Sequence, residues 1–203
     1  MNEIILSGEV AKDCEFSHRA YNESFVMFEI GTMRKSMIYD FIPCVMSESF
    51  PADGIVKGAR IAVRGEVRTR NVCSDDGKSH CETFVFVTDI LDDSGVDENK
   101  VTALNISICQ IQEQKKTFSG RLLTEFTGAS HRLNNGRSDY LHCLAWSRHS
   151  NGISLMNVGD KVNIIGRLQS RTFQNASGEE RTVLEVSLYS YQPCREEIKE
   201  NEN

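Results

Sequence analysis

The feature that most constrains the fold of this chain is a segment that occurs twice. Lys57–Val87 and Val158–Val186 align without a gap at a constant shift of 101 positions. The shift superposes Gly58 on Gly159, Gly65 on Gly166, Arg70 on Arg171 and Gly77 on Gly178. Each copy has an apolar run, an alternating strand, a glycine-containing turn and a returning strand, which is the pattern of a β-hairpin. A duplicated hairpin predicts a duplicated domain.

Each half of the chain also has the same order of short strands. Three β-rich segments precede the hairpin in both halves, and a weak helix follows the third. These segments are Ile4–Val10, Phe25–Ile30 and Tyr39–Met46 in the first half, and Val101–Ile108, Leu122–Thr127 and Asp139–Trp146 in the second. Residues 14–24 are predicted as a loop or strand edge, and Pro43 predicts a bulge or an edge because it lacks an N–H donor. Five strands per half predict an all-β protein of two small, closed antiparallel barrels.

Charge is unevenly distributed between the two halves. The chain carries a net charge of −6. Residues 1–98 contain 10 Lys and Arg against 18 Asp and Glu, whereas residues 99–194 contain 11 against 7. Some of the acidity belongs to a predicted linker, which includes Asp92, Asp93, Asp97 and Glu98. The second half is therefore basic within an acidic chain, an asymmetry that favours association with nucleic acid there.

The seven cysteines lack the paired spacing of disulfide frameworks. Cys44 and Cys143 occupy matching places in apolar strands, so we predict that both are buried thiols in a cytoplasmic protein. Cys73, His80 and Cys81 would supply only three metal ligands, so neither a metal site nor a cofactor is predicted. A secretory signal and a membrane span are not predicted either.

Both halves resemble bacterial single-stranded-DNA-binding proteins, a family with relatives such as primosomal replication protein N. Phe41–Val45 and Tyr140–Trp146 are similar to that family's aromatic-apolar-x-Cys-apolar strand. The segments GEVRTRN and GRLQSRTF resemble its Gly-x-Leu-x-Thr-Arg-x-aromatic strand. The resemblance implies two tandem five-stranded OB-fold barrels, each with a short or vestigial helix between strands three and four. The implied division is residues 1–91 and 101–194 for the barrels, 92–100 for an acidic linker and 195–203 for a short charged tail.

The second hairpin carries the clearest binding pattern. Alternate residues of a strand share a face. The outward residues are Arg167, Gln169, Arg171 and Phe173. A face that combines guanidinium groups with an aromatic ring can contact phosphates and stack bases, as sequence-tolerant single-strand binding requires.

Further binding residues are predicted in the third strands and the loops before them. By resemblance, Phe41, Tyr140 and Phe173 fall where the family stacks bases. Trp146 is equally compatible with base stacking and with filling the core. The complete set predicted to bind nucleic acid is Arg34, Lys35, Phe41, Arg68, Arg70, Arg132, Arg137, Tyr140, Trp146, Arg167, Arg171 and Phe173.

The first half has a weaker version of the same surface. Glu66 occupies the position of Arg167, and Val72 occupies that of Phe173. Ser47 stands where the second half has Trp146. We therefore predict that the first half contributes less of the binding energy.

These features predict sequence-tolerant binding of single-stranded DNA in replication, recombination or mobile-element maintenance, without enzymatic activity. The alternative is an OB-fold scaffold, like a primosome accessory protein, that docks other proteins and binds DNA weakly. RNA is a third possible ligand, because base stacking does not distinguish the sugar. The family functions with four OB-folds, so the resemblance implies a homodimer. The tail lacks the hydrophobic tip of the family's replicative members, which favours a plasmid- or phage-type relative located at the nucleoid.

Overall fold

The computed structural model describes residues 1–52, 54–73, 79–92, 98–132, 136–174, 178 and 180–194. The strands of the first half are β1 (Asn2–Ala20), β2 (Glu23–Met33), β3 (Tyr39–Ser47), β4 (Arg60–Cys73) and β5 (Ser79–Leu91). Those of the second half are β6 (Asn99–Ile111), β7 (Lys115–Lys116), β8 (Leu122–His131), β9 (Ser138–Trp146), β10 (Lys161–Gln174) and β11 (Glu180–Pro193). A short helix, α1 (Arg148–Ile153), follows β9. Within the described ranges, no helix is long and apolar enough to span a membrane.

The first five strands form one closed barrel. β1 pairs with β2, β2 with β3, β3 with β5, β5 with β4, and β4 returns to β1. Its interior is filled from alternate strand positions, so that Ile4 and Leu6 on β1 and Ile42 and Cys44 on β3 are fully buried. This period of two is what one buried face of a strand requires.

The second half repeats this closure with β6, β8, β9, β11 and β10. Its core includes Ile106, Leu141 and Leu168, each at most 1% exposed. Strand β7 is an addition of two residues that pairs with the start of β8. The all-β fold of two five-stranded barrels is therefore confirmed.

The two barrels are joined edge to edge through their first strands. β1 pairs antiparallel with β6, from Asn2 opposite Ala103 to Leu6 opposite Asn99. This pairing produces one continuous eleven-stranded sheet, and the buried apolar residues of both halves form a single cluster. The barrels therefore pack as one body.

The duplicated hairpin is present in both halves, as β4–β5 and β10–β11. Gly58 and Gly159, at matching positions before the hairpins, have φ angles of 87° and 98°. Glycine adopts such left-handed conformations without steric cost. Cys44 and Cys143 are buried as predicted, and burial raises the pKa of both thiols.

The predicted antiparallel pairing needs a correction at one pair of strands in each barrel. The pairs β3–β5 and β9–β11 are parallel. A closed ring of five strands cannot alternate in direction throughout, because strict alternation needs an even number of strands. One parallel pair per barrel is therefore a consequence of the strand count.

Two expectations for the first barrel can be compared with the structure. At Pro43 the β2–β3 register runs without a shift, so there is no bulge. Pairing of β3 with β5 begins one residue later, at Cys44, so Pro43 lies at the edge of that pairing, the other predicted position. Residues 14–24, predicted as a loop or edge, extend the β1–β2 hairpin to a turn at Tyr21 and Asn22, whose φ angles are 51° and 64°.

The predicted helix between strands three and four is present in the second barrel only, among the residues described. There it has six residues, whereas the described part of 48–59 contains turns. Most of the predicted linker and the tail 195–203 lie outside the described residues.

Candidate nucleic-acid interface

The outer face of β2–β3 in the first barrel presents aromatic rings. Phe41 lies on β3 opposite Gly31 of β2, and 51% of it is exposed. Its ring passes over this glycine, where an added Cβ would lie 3.5 Å from Phe41 Cε1. Tyr39, two residues earlier on the same face, is 52% exposed. The predicted stacking residue Phe41 thus stands beside a second ring.

Tyr140 has the corresponding position in the second barrel. It lies on β9 opposite Ala129 of β8, and 48% of it is exposed. The next residue on that face, His142, lies with its Nδ1 3.5 Å from Thr127 Oγ1. The outer face of β8–β9 therefore combines the exposed Tyr140 ring with polar side chains.

The β10–β11 hairpin presents a ring and a guanidinium together. Arg171 Nε donates to Glu185 Oε1 at 2.9 Å, and its guanidinium carbon lies 5.1 Å from the centroid of the Phe173 ring. The hydrogen bond to the Glu185 carboxylate raises the pKa of Arg171. Nearly half of the Arg171 side chain remains exposed, as does 38% of Phe173. Both therefore remain accessible to a ligand.

A groove of about 240 Å³ separates this hairpin from the outer face of β8–β9. Its lining includes Gln110, Gln112, Thr127, His142, Arg171 and Phe173. The two predicted residues Arg171 and Phe173 thus share a groove with the strand that carries Tyr140. The groove offers hydrogen bonds and a stacking ring, and its lining also includes the carboxylates of Glu125 and Glu185, which pair with Lys115 and Arg171.

The equivalent hairpin of the first barrel uses its arginines differently. The guanidinium carbon of Arg68 lies 3.6 Å from the centroid of the Phe86 ring, and that of Arg70 lies 5.4 Å from Phe84. Arg70 also pairs with Glu82 at 2.9 Å. Both predicted arginines therefore cover rings of their own barrel.

Arg34 lies where the barrels meet. Its guanidinium pairs with Asp40 of β3 at 2.6 Å and donates to the Ser170 carbonyl of the second barrel at 2.5 Å. Asp40 Oδ1 in turn accepts from Ser170 N at 2.7 Å. Burial would raise the pKa of the Asp40 carboxyl, but the hydrogen bonds from Arg34 and Ser170 outweigh it and lower that pKa. The group forms a clamp between the barrels.

A second clamp repeats this arrangement from the other side. Arg132 pairs with Asp139 of β9 at 2.5 Å and donates to the Thr69 carbonyl of the first barrel at 3.3 Å. Asp139 Oδ1 accepts from Thr69 N at 2.7 Å. The two clamps have the same chemistry and link each third strand to the hairpin of the other barrel.

Arg167 belongs to the first of these clamps. Its guanidinium lies 3.4 Å from Asp40 Oδ2 and donates to Thr32 Oγ1 at 3.3 Å. The side chains of Arg34, Arg132 and Arg167 are only 16–22% exposed. Contact of these three arginines with nucleic acid stays a prediction, whereas their hydrogen bonds between the barrels are part of the fold.

The remaining predicted residues lie at the periphery. The guanidinium carbon of Arg121 lies 4.8 Å from the centroid of the half-buried Trp146 ring. Lys35 and Arg137 are exposed in the loops that follow β2 and β8. The candidate surface therefore consists of the groove, Tyr140 and Phe41, with Trp146, Lys35 and Arg137 as further predicted residues.

Sequence reasoning missed Asp40, Asp139 and Tyr39. Asp40 lies on the buried side of β3 together with Ile42 and Cys44. Asp139 lies in the same way on the buried side of β9. A carboxylate in a core position requires a charged partner. The presence of such an aspartate at equivalent positions of both halves is the sequence signal that could have predicted the two clamps.

Comparison with known proteins agrees with this geometry. The profile of the single-strand binding protein family matches residues 1–91 and 99–194. The chain belongs to the single-strand binding protein family. Single-stranded DNA-binding protein 3 of Listeria innocua is 27% identical over 179 residues, which cover 81% of this chain and 95% of that protein. Single-stranded DNA-binding protein A of Bacillus subtilis is 29% identical over 86 residues, which cover 39% of this chain and half of that protein.

Solved structures of the family share the fold. The wild-type single-stranded DNA binding protein from Thermus aquaticus superposes with a TM-score of 0.75 at 18% identity, covering 97% of this chain and 94% of that one. A deletion mutant of the same protein gives the same TM-score and covers 100% of this chain and 98% of that one. The tandem arrangement of two barrels in one chain therefore has a counterpart in this single-strand binding family.

Proposed function

We propose that this member of the single-strand binding protein family binds single-stranded DNA without strong sequence preference. The observation that carries the proposal is the pair of half-exposed rings, Phe41 and Tyr140, at the same position of the two barrels. Stacking on such rings contributes about 1–3 kcal/mol per base and tolerates every base. Arg171 supplies a phosphate contact beside the ring of Phe173, with which it lines a groove.

Fluorescence titration with oligo-dT at two salt concentrations tests this function. Trp146 is the only tryptophan, and its half-buried ring flanks the proposed surface. We expect binding to change its emission and the affinity to fall as salt rises, because phosphate contacts release counterions. Absence of binding at low salt, measured by mobility shift as well as by fluorescence, would contradict the proposal.

The proposed assembly is a homodimer with four barrels. Its support is an apolar strip on the outward face of the continuous sheet, opposite the barrel interior. Leu104, Ile165 and Tyr189 lie on neighbouring strands there and are 36–53% exposed. Light scattering at micromolar concentration should give twice the mass of one chain. A mass of one chain would remove the dimer but leave DNA binding untouched.

A protein-docking role is the second candidate. The β2–β3 turn of the acidic first half exposes Met33, Met37 and Ile38, which are 46–73% exposed. Methionine-rich apolar surfaces adapt to varied protein partners. If docking is the main role, oligo-dT binding should be absent while these residues remain necessary for association with a replication partner.

Two finer parts of the proposal concern the ligand and the process. DNA is preferred over RNA, and the setting is replication, recombination or mobile-element maintenance in the cytoplasm at the nucleoid. Titration with oligo-U under identical salt conditions measures the first preference. Equal affinity for oligo-U and oligo-dT would reject it.

A further inference from the structure

Tyr39 forms a ring pair with Phe41 that was not expected from the sequence. The two residues alternate on β3 with Asp40 and Ile42, which are fully buried, so both rings are on the outer face. Their centroids are 6.3 Å apart and their planes differ by 19°. About half of each residue is exposed, so each ring keeps a surface on which a base can stack.

The backbone that carries the pair is held from both sides. On the outside, Phe41 packs over Gly31, where a side chain would meet the ring. On the inside, Asp40, which lies between Tyr39 and Phe41 in the sequence, accepts hydrogen bonds through its carboxylate from Arg34 and from Ser170 of the second barrel. A platform that is already ordered loses little conformational entropy on binding.

We propose that Tyr39 and Phe41 together bind two consecutive unpaired nucleobases, with Tyr39 as an additional binding residue of the first barrel. This inference rests on the proposed binding of single-stranded DNA and specifies where part of the stacking occurs. The two nearly parallel rings accept neighbouring bases of one strand. The first barrel thereby stacks bases through β3, although its hairpin lacks the ring that Phe173 supplies in the second barrel.

The second barrel lacks this pair. Ser138 precedes Tyr140 by two residues, as Tyr39 precedes Phe41. The Ser138 hydroxyl is hydrogen-bonded to His131 Nδ1 at 2.7 Å, and His131 lies opposite Ser138 as Met33 lies opposite Tyr39. At one equivalent position, the first barrel therefore has Tyr39 and the second has Ser138.

The test is the variant Tyr39→Ser, which installs the residue of the second barrel. A short oligo-dT should bind roughly 5- to 100-fold more weakly, as expected for the loss of one stacked base. The reciprocal variant Ser138→Tyr should strengthen binding. The control Tyr21→Asn removes a tyrosine that is 96% exposed at the β1–β2 turn, away from the pair, and should leave affinity unchanged.

An abasic oligonucleotide of the same length separates stacking from a structural effect. The loss caused by Tyr39→Ser should disappear with this ligand, because no base remains to stack. A loss of equal size on abasic DNA, or unchanged affinity of Tyr39→Ser for oligo-dT, would overturn the platform while wild-type binding remains intact. Failure of the wild-type protein to bind oligo-dT would instead reject the proposed function. If Tyr39→Ser leaves DNA binding unchanged but abolishes association with a protein, the pair is a docking surface and the platform is rejected.

Discussion

The two hairpins share a backbone path and differ in what they expose. In β4–β5, Arg68 lies on the Phe86 ring, so cation and ring cover each other. In β10–β11, Phe173 stands at the outer end of the strand and Arg171 keeps half of its side chain exposed. The comparison teaches that the same strand can use its arginines and rings in two ways. In the first hairpin they pack on each other and stabilise the barrel, and in the second they remain partly exposed.

The outer faces of the barrels differ in charge as well as in rings. Across β1–β3 the first barrel presents Glu9 beside Gly31, and Lys12 beside Glu29. The corresponding strands of the second barrel present Gln110 beside Thr127, and His142. This face of the first barrel therefore carries two rings together with Glu9 and Glu29, whereas that of the second carries Tyr140 together with Glu125, whose carboxylate pairs with Lys115. The first barrel therefore offers more rings for base stacking, and the second offers a less acidic surface.

The clamps give the largest expected effect. Asp40 is paired with both Arg34 and Arg167, whereas Asp139 is paired with Arg132, and the position matching Arg167 is Glu66. Asp40→Asn should lower the free energy of unfolding by about 3 kcal/mol, because it leaves buried guanidinium groups without their carboxylate. Asp139→Asn should cost less. Denaturant unfolding of both variants measures the difference, and equal losses would mean that Arg167 adds nothing to its clamp.

The pH dependence of stability should follow the same clamp. Because the pKa of folded Asp40 lies below its ordinary value of 3.8, its contribution is fully present above that ordinary value. The contribution declines as the pH falls below it and is lost once the pH passes through the folded pKa. Unfolding measured between pH 7 and acid should therefore show a steeper decline for the wild type than for Asp40→Asn. Parallel curves would show that other carboxylates govern acid unfolding.

Phe173 should dominate the difference between the hairpins in binding. Phe173→Ala removes an exposed ring and should cost about 1–3 kcal/mol in oligo-dT affinity. The matched control Val72→Ala changes the same position of the first hairpin and should cost much less. Titration at one salt concentration suffices, and similar losses would remove the proposed asymmetry between hairpins.

The smallest expected effect concerns the salt dependence. Arg171→Gln should reduce the slope of log affinity against log salt by about 0.7, the value for one phosphate contact on a single strand. Arg70→Gln, at the matching position, should change the slope less, since residues 1–98 are acidic and Val72 stands where the second hairpin has the Phe173 ring. A larger change for Arg70 would locate the phosphate path on the first hairpin.

The sequence anticipated the exposure of some candidate residues and not of others, for a physical reason. The period of two assigns Phe173 to an exposed face, and the family resemblance placed Phe41 and Tyr140 at stacking positions. The structure has all three residues exposed. The same rule cannot predict which arginine on the outward-facing side of a strand pairs with a carboxylate of the other barrel. Arg167 shares its face with Arg171 in the sequence pattern, yet it contacts Asp40.

The sequence by itself determined the two five-stranded barrels, because the repeat, the alternation of apolar residues and the glycine positions are local properties. It also located the rings of β3 and β9. Only the tertiary structure decided how the barrels join, since β1–β6 pairing and the two carboxylate clamps connect residues 63 to 136 positions apart. Such contacts depend on the relative placement of two folded surfaces, and neither half carries that information alone. The second hairpin therefore contacts the first barrel through Arg167 and Ser170 and leaves Arg171 and Phe173 partly exposed.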